Sequence, residues 1–273
     1  MSRSWGRPDP ATAAVRLAVR GVFADAVPGD LVLVACSGGA DSLALAAAAA
    51  HEARAAGIRV GAVVVDHGLQ AGSGAVATTA AGTLRGLGLD PVEVVPAEVA
   101  STGEGVEAAA RRARYAVLDA AADRLGAGTV LLGHTRDDQA EQVLLGLVRG
   151  AGSRSLAGMP AARGRYRRPL LGVTREQCRA SVAAEGISWW DDPMNDDPAY
   201  ARVRARQALA DLERDLGRGV GAALARTADH LREDADLLDD LADRTTVTLG
   251  EGPWEVVTLA AIARPVRTRV WRR

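Results

Sequence analysis

The chain has 273 residues, 48% of them apolar and 3% aromatic, so Ala, Val and Leu must build most of a sizeable core. A formal net charge of −1 excludes a polycation, and any nucleic-acid site has to be local. Two widely separated cysteines, Cys36 and Cys178, exclude a disulfide framework and cannot by themselves ligate an iron–sulfur cluster; with short apolar runs and no secretory leader before the first strand, the expectation is a cytoplasmic protein with no membrane contact.

Taken in order, residues 9 to 26 have helical apolar spacing (Ala13, Leu17, Val22, Phe23) and predict a helix covering a sheet edge. Leu31 to Ala35 is an unbroken apolar run, as expected of a strand buried on both faces in a parallel sheet. It stops at Ser37-Gly38-Gly39, and an alanine-rich helix is predicted from Ser42 to about Ala56, ended by Gly57. Val60 to Val65 reads as a second buried strand, which makes a β-α-β unit with a right-handed crossover. Asp66-His67-Gly68 then stands at a strand's carboxyl end, where open α/β sheets bind ligands. A helix over 75–87, a strand from Pro91 to Val95, a loop over 97–104 and a long helix from Val106 to Leu125 follow. Thr129 to Leu132 is a fourth strand ending in Gly133-His134, and a helix runs from about Asp137 to Val148. The rhythm predicts an α/β protein with a doubly wound parallel sheet of Rossmann-like type.

Residues 149 to 168 break that rhythm. Five Gly and Pro residues alternate there with Arg149, Arg154, Arg163, Arg165, Arg167 and Arg168, which predicts a long, basic, mobile loop. Arg168-Pro169-Leu170-Leu171 restores order, and Thr174 can cap a helix reaching Glu185. Residues 191 to 206 carry acids, then Arg202, Arg204 and Arg206. From Val220 the positions Leu224, Ala228, Leu231, Leu238 and Leu241 keep a helical period, and Thr258 to Arg273 reads as a helix or helix-turn-helix restarted at Pro265. The expected division is 1–216 as the main domain and 217–273 as a smaller helical C-terminal domain or appendage.

Several constellations carry chemistry. Two glycines between a buried strand and a helix bring backbone N–H groups to the positive end of that helix, an anion nest in Ser37, Gly38, Gly39, Ala40, Asp41 and Ser42. Ser37 and Ser42 can add hydroxyl donors, and Asp41 can hold a metal bridging phosphates; an ordinary strand–turn–helix connection is the plainer alternative. The chain contains no lysine, which excludes a Walker A loop. Asp137, Asp138 and Glu141 open a helix as simple dipole caps, or as like charges on one face that meet Mg²⁺ or an ammonium group. His134, at a strand's carboxyl end, can carry a proton or bond a phosphate, whereas His51 and His230 lie inside helical stretches and read as structural. Arg111 and Arg114 share a helix face and either grip phosphates or pair with Glu107 or Asp119. Trp189-Trp190 reads as core packing, with base stacking as the alternative.

The string Ser37 to Ser42 resembles the pyrophosphate loop of the ATP-pyrophosphatase (PP-loop) superfamily, whose members cleave ATP between the α and β phosphates. In order, S-G-G-x-D-S, Asp66-His67-Gly68, A-R-x-x-R-Y, Gly133-His134-x-x-Asp137-Asp138-Gln139, R-P-L-L and D-P-x-N with its following arginines resemble tRNA(Ile)-lysidine synthetases over residues 31 to 206. Thr135 stands where that family often has a second histidine, and Gln142 where it often has threonine. The resemblance implies a ligase that activates C2 of the wobble cytidine of a tRNA(Ile) with a CAU anticodon, using ATP and Mg²⁺, and joins free L-lysine to it. It further implies ATP on Ser37 to Ser42 with Asp41 on Mg²⁺; His134, Arg111 and Arg114 on the reacting phosphates; Asp137, Asp138 and Glu141 on lysine or Mg²⁺; and Arg163, Arg165, Arg167, Arg168, Arg202, Arg204 and Arg206 on tRNA. A homodimer is compatible with it. The rivals are a tRNA thiolase of the same superfamily and a nucleotide-binding module without catalysis.

Overall fold

The computed structural model describes residues 8–68, 70, 72–97 and 106–272, with side chains of the 106–125 helix from residue 108 onward. The expected loop over 97–104 lies almost wholly outside the described residues, as does the side chain of Glu107. The elements run α1 (Pro10–Phe23), β1 (Leu31–Cys36), α2 (Ala40–Ala56), β2 (Arg59–Asp66), α3 (Ser73–Gly86), β3 (Val92–Pro96), α4 (Val106–Leu125), β4 (Thr129–Leu132) and α5 (Arg136–Val148). Then come α6 (Ser153–Leu156), β5 (Ala162–Arg163), β6 (Tyr166–Arg167), α7 (Arg175–Ala184), α8 (Ala201–Leu216), α9 (Val220–Leu249), α10 (Val256–Ala261) and α11 (Arg264–Val270).

The chain divides into two compact units, residues 1–138 with 160–203, and residues 139–159 with 204–273. The first holds a six-stranded sheet in the order β3-β2-β1-β4-β6-β5, parallel except for β5. Alternation sorts the strand residues between two faces. Val32 and Val34 of β1 pack into a core with α1, α2, α3 and α7, while Leu31 and Leu33 face Leu118, Ala121 and Ala122 of α4. Helix α2 is buried along almost its whole length, and the residues it buries are mostly alanines, which lets it lie close to its neighbours. Asp9 caps α1 by accepting from the N–H groups of Ala11 and Thr12, and Thr174 with Gln177 forms a capping box on α7.

The basic stretch 149–168 is corrected by the structure: it is not one long loop. It forms α6 and the β5–β6 hairpin, and β6 joins the sheet beside β4 with Val130 opposite Tyr166. Two-residue strands leave no periodicity to read, and their ladder depends on a partner far away in sequence.

The second unit packs α11 on α9 through Val266, Val270 and Ala242, with Leu238, Leu249, Trp254 and Ile262 around them. Arg269 pairs with Asp239 at 2.7 Å, and Arg154 pairs with Asp236 and Asp239. Gln139, buried, accepts from Met159 N–H at 2.7 Å and donates to its carbonyl at 3.2 Å. No helix among the described residues is long and apolar enough to cross a membrane.

One glycine in the sheet is a packing requirement. A Cβ at Gly61 would lie 2.7 Å from the Pro91 carbonyl oxygen and 3.0 Å from Leu33 Cδ2, in the middle of β2. Gly61→Ala is expected to cost about 1–3 kcal/mol of stability, the range for forcing a methyl into a filled core. Urea unfolding of the two proteins measures it; equal midpoints would mean that β2 and β3 shift apart freely.

Candidate active site

The sheet order places the topological switch between β1 and β4, since β1 connects onward to β2 on one side and pairs with β4 on the other. The loop from Ser37 to Ser42 follows β1, and His134 to Asp138 follow β4. The two approach closely at Gly133, where a Cβ would lie 3.2 Å from Ser42 Cα and N.

The loop is held by its own side chains. Ser42, buried, donates its hydroxyl to the Gly39 carbonyl at 2.9 Å and accepts from Ser37 N–H at 3.2 Å. Gly38 takes φ +83°, a conformation that favours glycine, and its carbonyl accepts Trp190 N–H at 3.0 Å. Gly39 caps α2 with no side-chain bond, so the first-turn donors of that helix are left for a ligand. Trp189 packs beside the core and donates its indole N–H to Asp191 at 3.1 Å, in line with core packing rather than stacking.

Asp41, in the first turn of α2, is 25% exposed at its side chain. Its Oδ1 is buried without a partner and its Oδ2 lies 3.7 Å from Arg175 Nε. Burial pushes its carboxyl up to about 6; Arg175 opposes that, and Asp138 and Asp137 add to it. An anionic oxygen shut from water with no donor fits a hard cation, and Mg²⁺ uses one or two carboxylates together with phosphate oxygens and water. Among the described residues there is no group of three or more His, Cys, Asp or Glu that could hold a metal by itself. Cys178 lies beneath Asp41, and burial pushes its thiol up, so it stays protonated.

The acids of α5 have partners within the chain. Thr135 and Asp138 cap one another, Thr135 N–H donating to Asp138 Oδ2 at 2.7 Å, and Arg175 donates to Asp138 Oδ1 at 2.9 Å. Burial would raise Asp138, but Arg175, Thr135 and His134 together hold it below its ordinary value. Asp137 Oδ2 accepts the backbone N–H of Arg175 at 2.8 Å, which ties the start of α5 to the start of α7. Glu141, in the second unit and buried, accepts from Arg206 Nε at 2.9 Å. Dipole capping and a cation both operate here, the cations being arginines of the chain.

Three arginines gather on Tyr115. Arg111 and Arg114 lie over its ring at 5.1 and 5.7 Å, and Arg111 and Arg168 both donate to its hydroxyl, at 3.4 and 3.3 Å. Arg168, 5% exposed, also donates to the Pro160 carbonyl at 2.8 Å. The Nε atoms of Arg114 and Arg168 and the Nδ1 atoms of His134 and His67 are buried with no hydrogen-bond partner. Burial lowers the His134 pKa against the opposing pull of Asp138, so the ring is neutral at neutral pH. The other sequence-predicted arginines divide. Arg165 pairs with Asp123 at 2.7 Å, and Arg167 donates to the Gly164 carbonyl at 2.6 Å. Arg163 and Arg204 are exposed, and Arg202 is half-buried. Arg175 was not singled out in the sequence, because its partners lie 37 residues or more away and no local spacing marks it.

This fold and loop define a PP-loop protein, and a family model described as a PP-loop domain matches residues 14–213. A tRNA(Ile)-lysidine synthase of Thermobifida fusca is 54% identical over 269 residues, covering 97% of this chain and 83% of that protein. Those of Streptomyces coelicolor (51% identical, 97% of this chain, 84% of that protein) and Leifsonia xyli (54%, 90% and 76%) are similarly related. The chain belongs to the tRNA(Ile)-lysidine synthase family. Among solved structures, the U34-tRNA thiolase NcsA from Methanococcus maripaludis with its 4Fe-4S cluster superposes with a TM-score of 0.68. It is 16% identical over 82% of this chain and 80% of that one, and shares the fold.

The position of Asp41 generates a pH prediction. At pH 8 the carboxylate is ionised in folded and unfolded chains alike, so its burial opposes folding. As pH falls through about 6 the folded carboxyl protonates first, and the penalty is gone below about 4, where both states are protonated. Asp41→Asn should therefore raise stability at pH 8, by about 1–3 kcal/mol, and leave it unchanged near pH 4. Calorimetric melts across that range test it; lower stability at pH 8 would show that the Arg175 pair outweighs burial.

Proposed function

We propose that the protein ligates free lysine to C2 of the wobble cytidine, position 34, of a tRNA(Ile) with a CAU anticodon, with ATP consumed to AMP and pyrophosphate. The observation that carries this is Asp41 at the start of α2, with its buried Oδ1 unpartnered, beside a loop that leaves helix N-terminal donors open. On this reading the C2 carbonyl oxygen of the cytidine attacks the α-phosphorus of ATP and pyrophosphate leaves. The lysine ε-amine then attacks C2 and AMP leaves, giving lysidine and changing decoding from AUG to AUA.

Each chain residue has a task in that sequence. The backbone of Ser37 to Ser42 and the hydroxyls of Ser37 and Ser42 bind the phosphates of ATP. Asp41 holds Mg²⁺, which supplies charge neutralisation on the phosphates when bound. Arg111 and Arg114 stabilise charge on the reacting phosphate and the leaving pyrophosphate, and neutral His134 donates a hydrogen bond there. Asp137 and Asp138 hold lysine ammonium groups or Mg²⁺, Arg175 meeting Asp138 with its guanidinium and Asp137 with its backbone N–H. Glu141, paired with Arg206, is assigned to lysine or Mg²⁺ only by its place on the same helix. Arg163, Arg165, Arg167, Arg168, Arg202, Arg204 and Arg206 are assigned to tRNA by charge, and a tRNA phosphate would have to compete with the chain's own partners of Arg165, Arg167, Arg168 and Arg206. Residues 1–216 form the catalytic part and 217–273 the helical appendage, in a cytoplasmic enzyme for which a homodimer is compatible.

The thiolase alternative is disfavoured, because two buried cysteines supply too few thiolates for a 4Fe-4S cluster. Labelled lysine incorporated into tRNA(Ile) in an ATP-dependent reaction is the deciding experiment. Pyrophosphate release that is indifferent to lysine, with no label in the tRNA, would refute the reading. Within it, Asp137→Asn keeps an oxygen for the Arg175 N–H but drops the charge. The Michaelis constant for lysine should rise at least about tenfold, roughly 1.4 kcal/mol, with that for ATP little changed. The converse pattern assigns Asp137 to Mg²⁺.

A further inference from the structure

We infer that Asp192 is a positioning residue for the phosphate loop: it anchors the segment whose Trp190 N–H holds the Gly38 carbonyl out of the anion nest. The inference rests on the proposed function for the identity of the ligand, but its first readout needs only the protein and pyrophosphate.

The turn Asp192-Pro193-Met194-Asn195 has no task in the reaction sequence above. Its bonds show where it acts. Asp192, half-buried, accepts from Met194 N–H and from Gln70 Nε2 through Oδ1, both at 2.9 Å. The first bond closes a single 3-10 turn over Pro193–Asp196. The second crosses 122 positions to the loop after β2, which Asp66 folds by accepting from Gly68 N–H at 3.0 Å. On the other side Trp189 packs beside the core, and Asp191 accepts from its indole and pairs with Arg179 of α7 at 2.6 Å. That pair is exposed and weakened by solvent, which leaves Gln70–Asp192 as the firmer anchor. Trp190 lies between the two anchors and donates its N–H to the Gly38 carbonyl at 3.0 Å.

That one bond sets the direction of a whole peptide unit. In a planar trans unit the C=O and the following N–H point opposite ways, so holding the Gly38 carbonyl turns Gly39 N–H away from Trp190 and into the nest. There Gly39 N–H lies 3.5 Å from Ser37 Oγ, a long contact that leaves it open to a phosphate oxygen. A glycine stands on each side of this peptide, so no Cβ opposes its rotation by half a turn. Rotated, it would present a carbonyl oxygen where the nest needs a donor. A Cβ at Gly38 would lie 3.2 Å from Ala80 Cβ of α3, but an alanine that backs the loop cannot hold a carbonyl. The orientation therefore depends on Trp190, and the place of Trp190 depends on its anchors, Asp192 first among them.

Inorganic pyrophosphate with Mg²⁺ is titrated calorimetrically into the wild-type protein, Asp192→Ala, Asp192→Asn and Gln70→Ala, well below their melting temperatures. Kinetic constants for ATP and lysine are measured on the same proteins. Asp192→Ala is expected to weaken pyrophosphate binding, and to raise the Michaelis constant for ATP, at least about tenfold, the equivalent of one hydrogen bond to a charged group. Saturating ATP draws the peptide back, so kcat and the Michaelis constant for lysine stay near their wild-type values. Asp192→Asn keeps the Oδ1 acceptor and should bind pyrophosphate as the wild type does. A residue that merely stabilises the fold lowers the melting temperature and leaves the affinity of the folded protein alone. Unchanged pyrophosphate binding in Asp192→Ala, whatever its melt, would therefore overturn the inference, as would a wild-type protein that binds no pyrophosphate. So would an Asp192→Asn as weak as Asp192→Ala, since the effect would then lie in the charge and not in the bonds. Should Asp192→Ala fail to fold, Gln70→Ala decides alone, because it cuts the anchor and leaves the turn closed: weaker pyrophosphate binding supports the role and unchanged binding overturns it. A protein that follows this pattern with pyrophosphate yet incorporates no lysine refutes the proposed reaction and leaves the positioning role standing.

Discussion

The close approach of the β4 carboxyl end to the first turn of α2 is the constraint on which the site depends. Gly133 admits the backbone of Ser42 where any side chain would push it away. The alanines of α2 let the helix settle at that distance, and Ser42, locked to Gly39 and Ser37, keeps the loop from collapsing. Two chain segments that leave the sheet in neighbouring strands thereby present one surface. The position of that surface follows from strand order alone, at the point where connections diverge to either side of β1.

On that surface the charges are sorted rather than mixed. Asp41, Asp137 and Asp138 gather around Arg175, whereas Arg111, Arg114 and Arg168 gather around Tyr115. His134 stands between them, drawn toward protonation by Asp138 and away from it by burial and the arginines. Burying both signs apart costs stability on each side, since neither cluster satisfies the other. A substrate set with polyanionic phosphates at one end and ammonium groups at the other offsets both costs together.

Local chemistry was legible in the sequence and distant pairing was not. Strands β1 to β4, helices α1 to α5, α7 and α9, and the loop from Ser37 to Ser42 follow from apolar runs and glycines read over ten or so residues, and their positions match within a few residues, whereas α6, α8 and the β5–β6 hairpin were not read. The acids of α5 were legible as a cluster, but their neutralisation was not: Arg175 reaches Asp138 across 37 positions, and Arg206 reaches Glu141 across 65. His67 was legible as a residue at a strand end, without any sign that its Nδ1 would be buried and unpartnered. Such facts depend on which elements the topology packs together, and no window of sequence contains them.

The stretch from Arg163 to Arg168 carries that point furthest. By composition its arginines are alike, and as a loop they would all meet solvent. The β5–β6 hairpin gives them alternate directions and different neighbours. Arg163 remains exposed, Arg165 meets Asp119 and Asp123 of α4, and Arg168 is buried beneath the same helix at Tyr115. An arginine that finds an acid becomes a surface tie worth about 0–1 kcal/mol. One that is buried with only neutral partners retains most of its charge for a ligand. The difference between the two roles therefore lies in whether α4 offers a carboxylate or a phenol at the place where each guanidinium arrives, and the spacing of Tyr115 and Asp119 along α4, one helical turn apart, decides it.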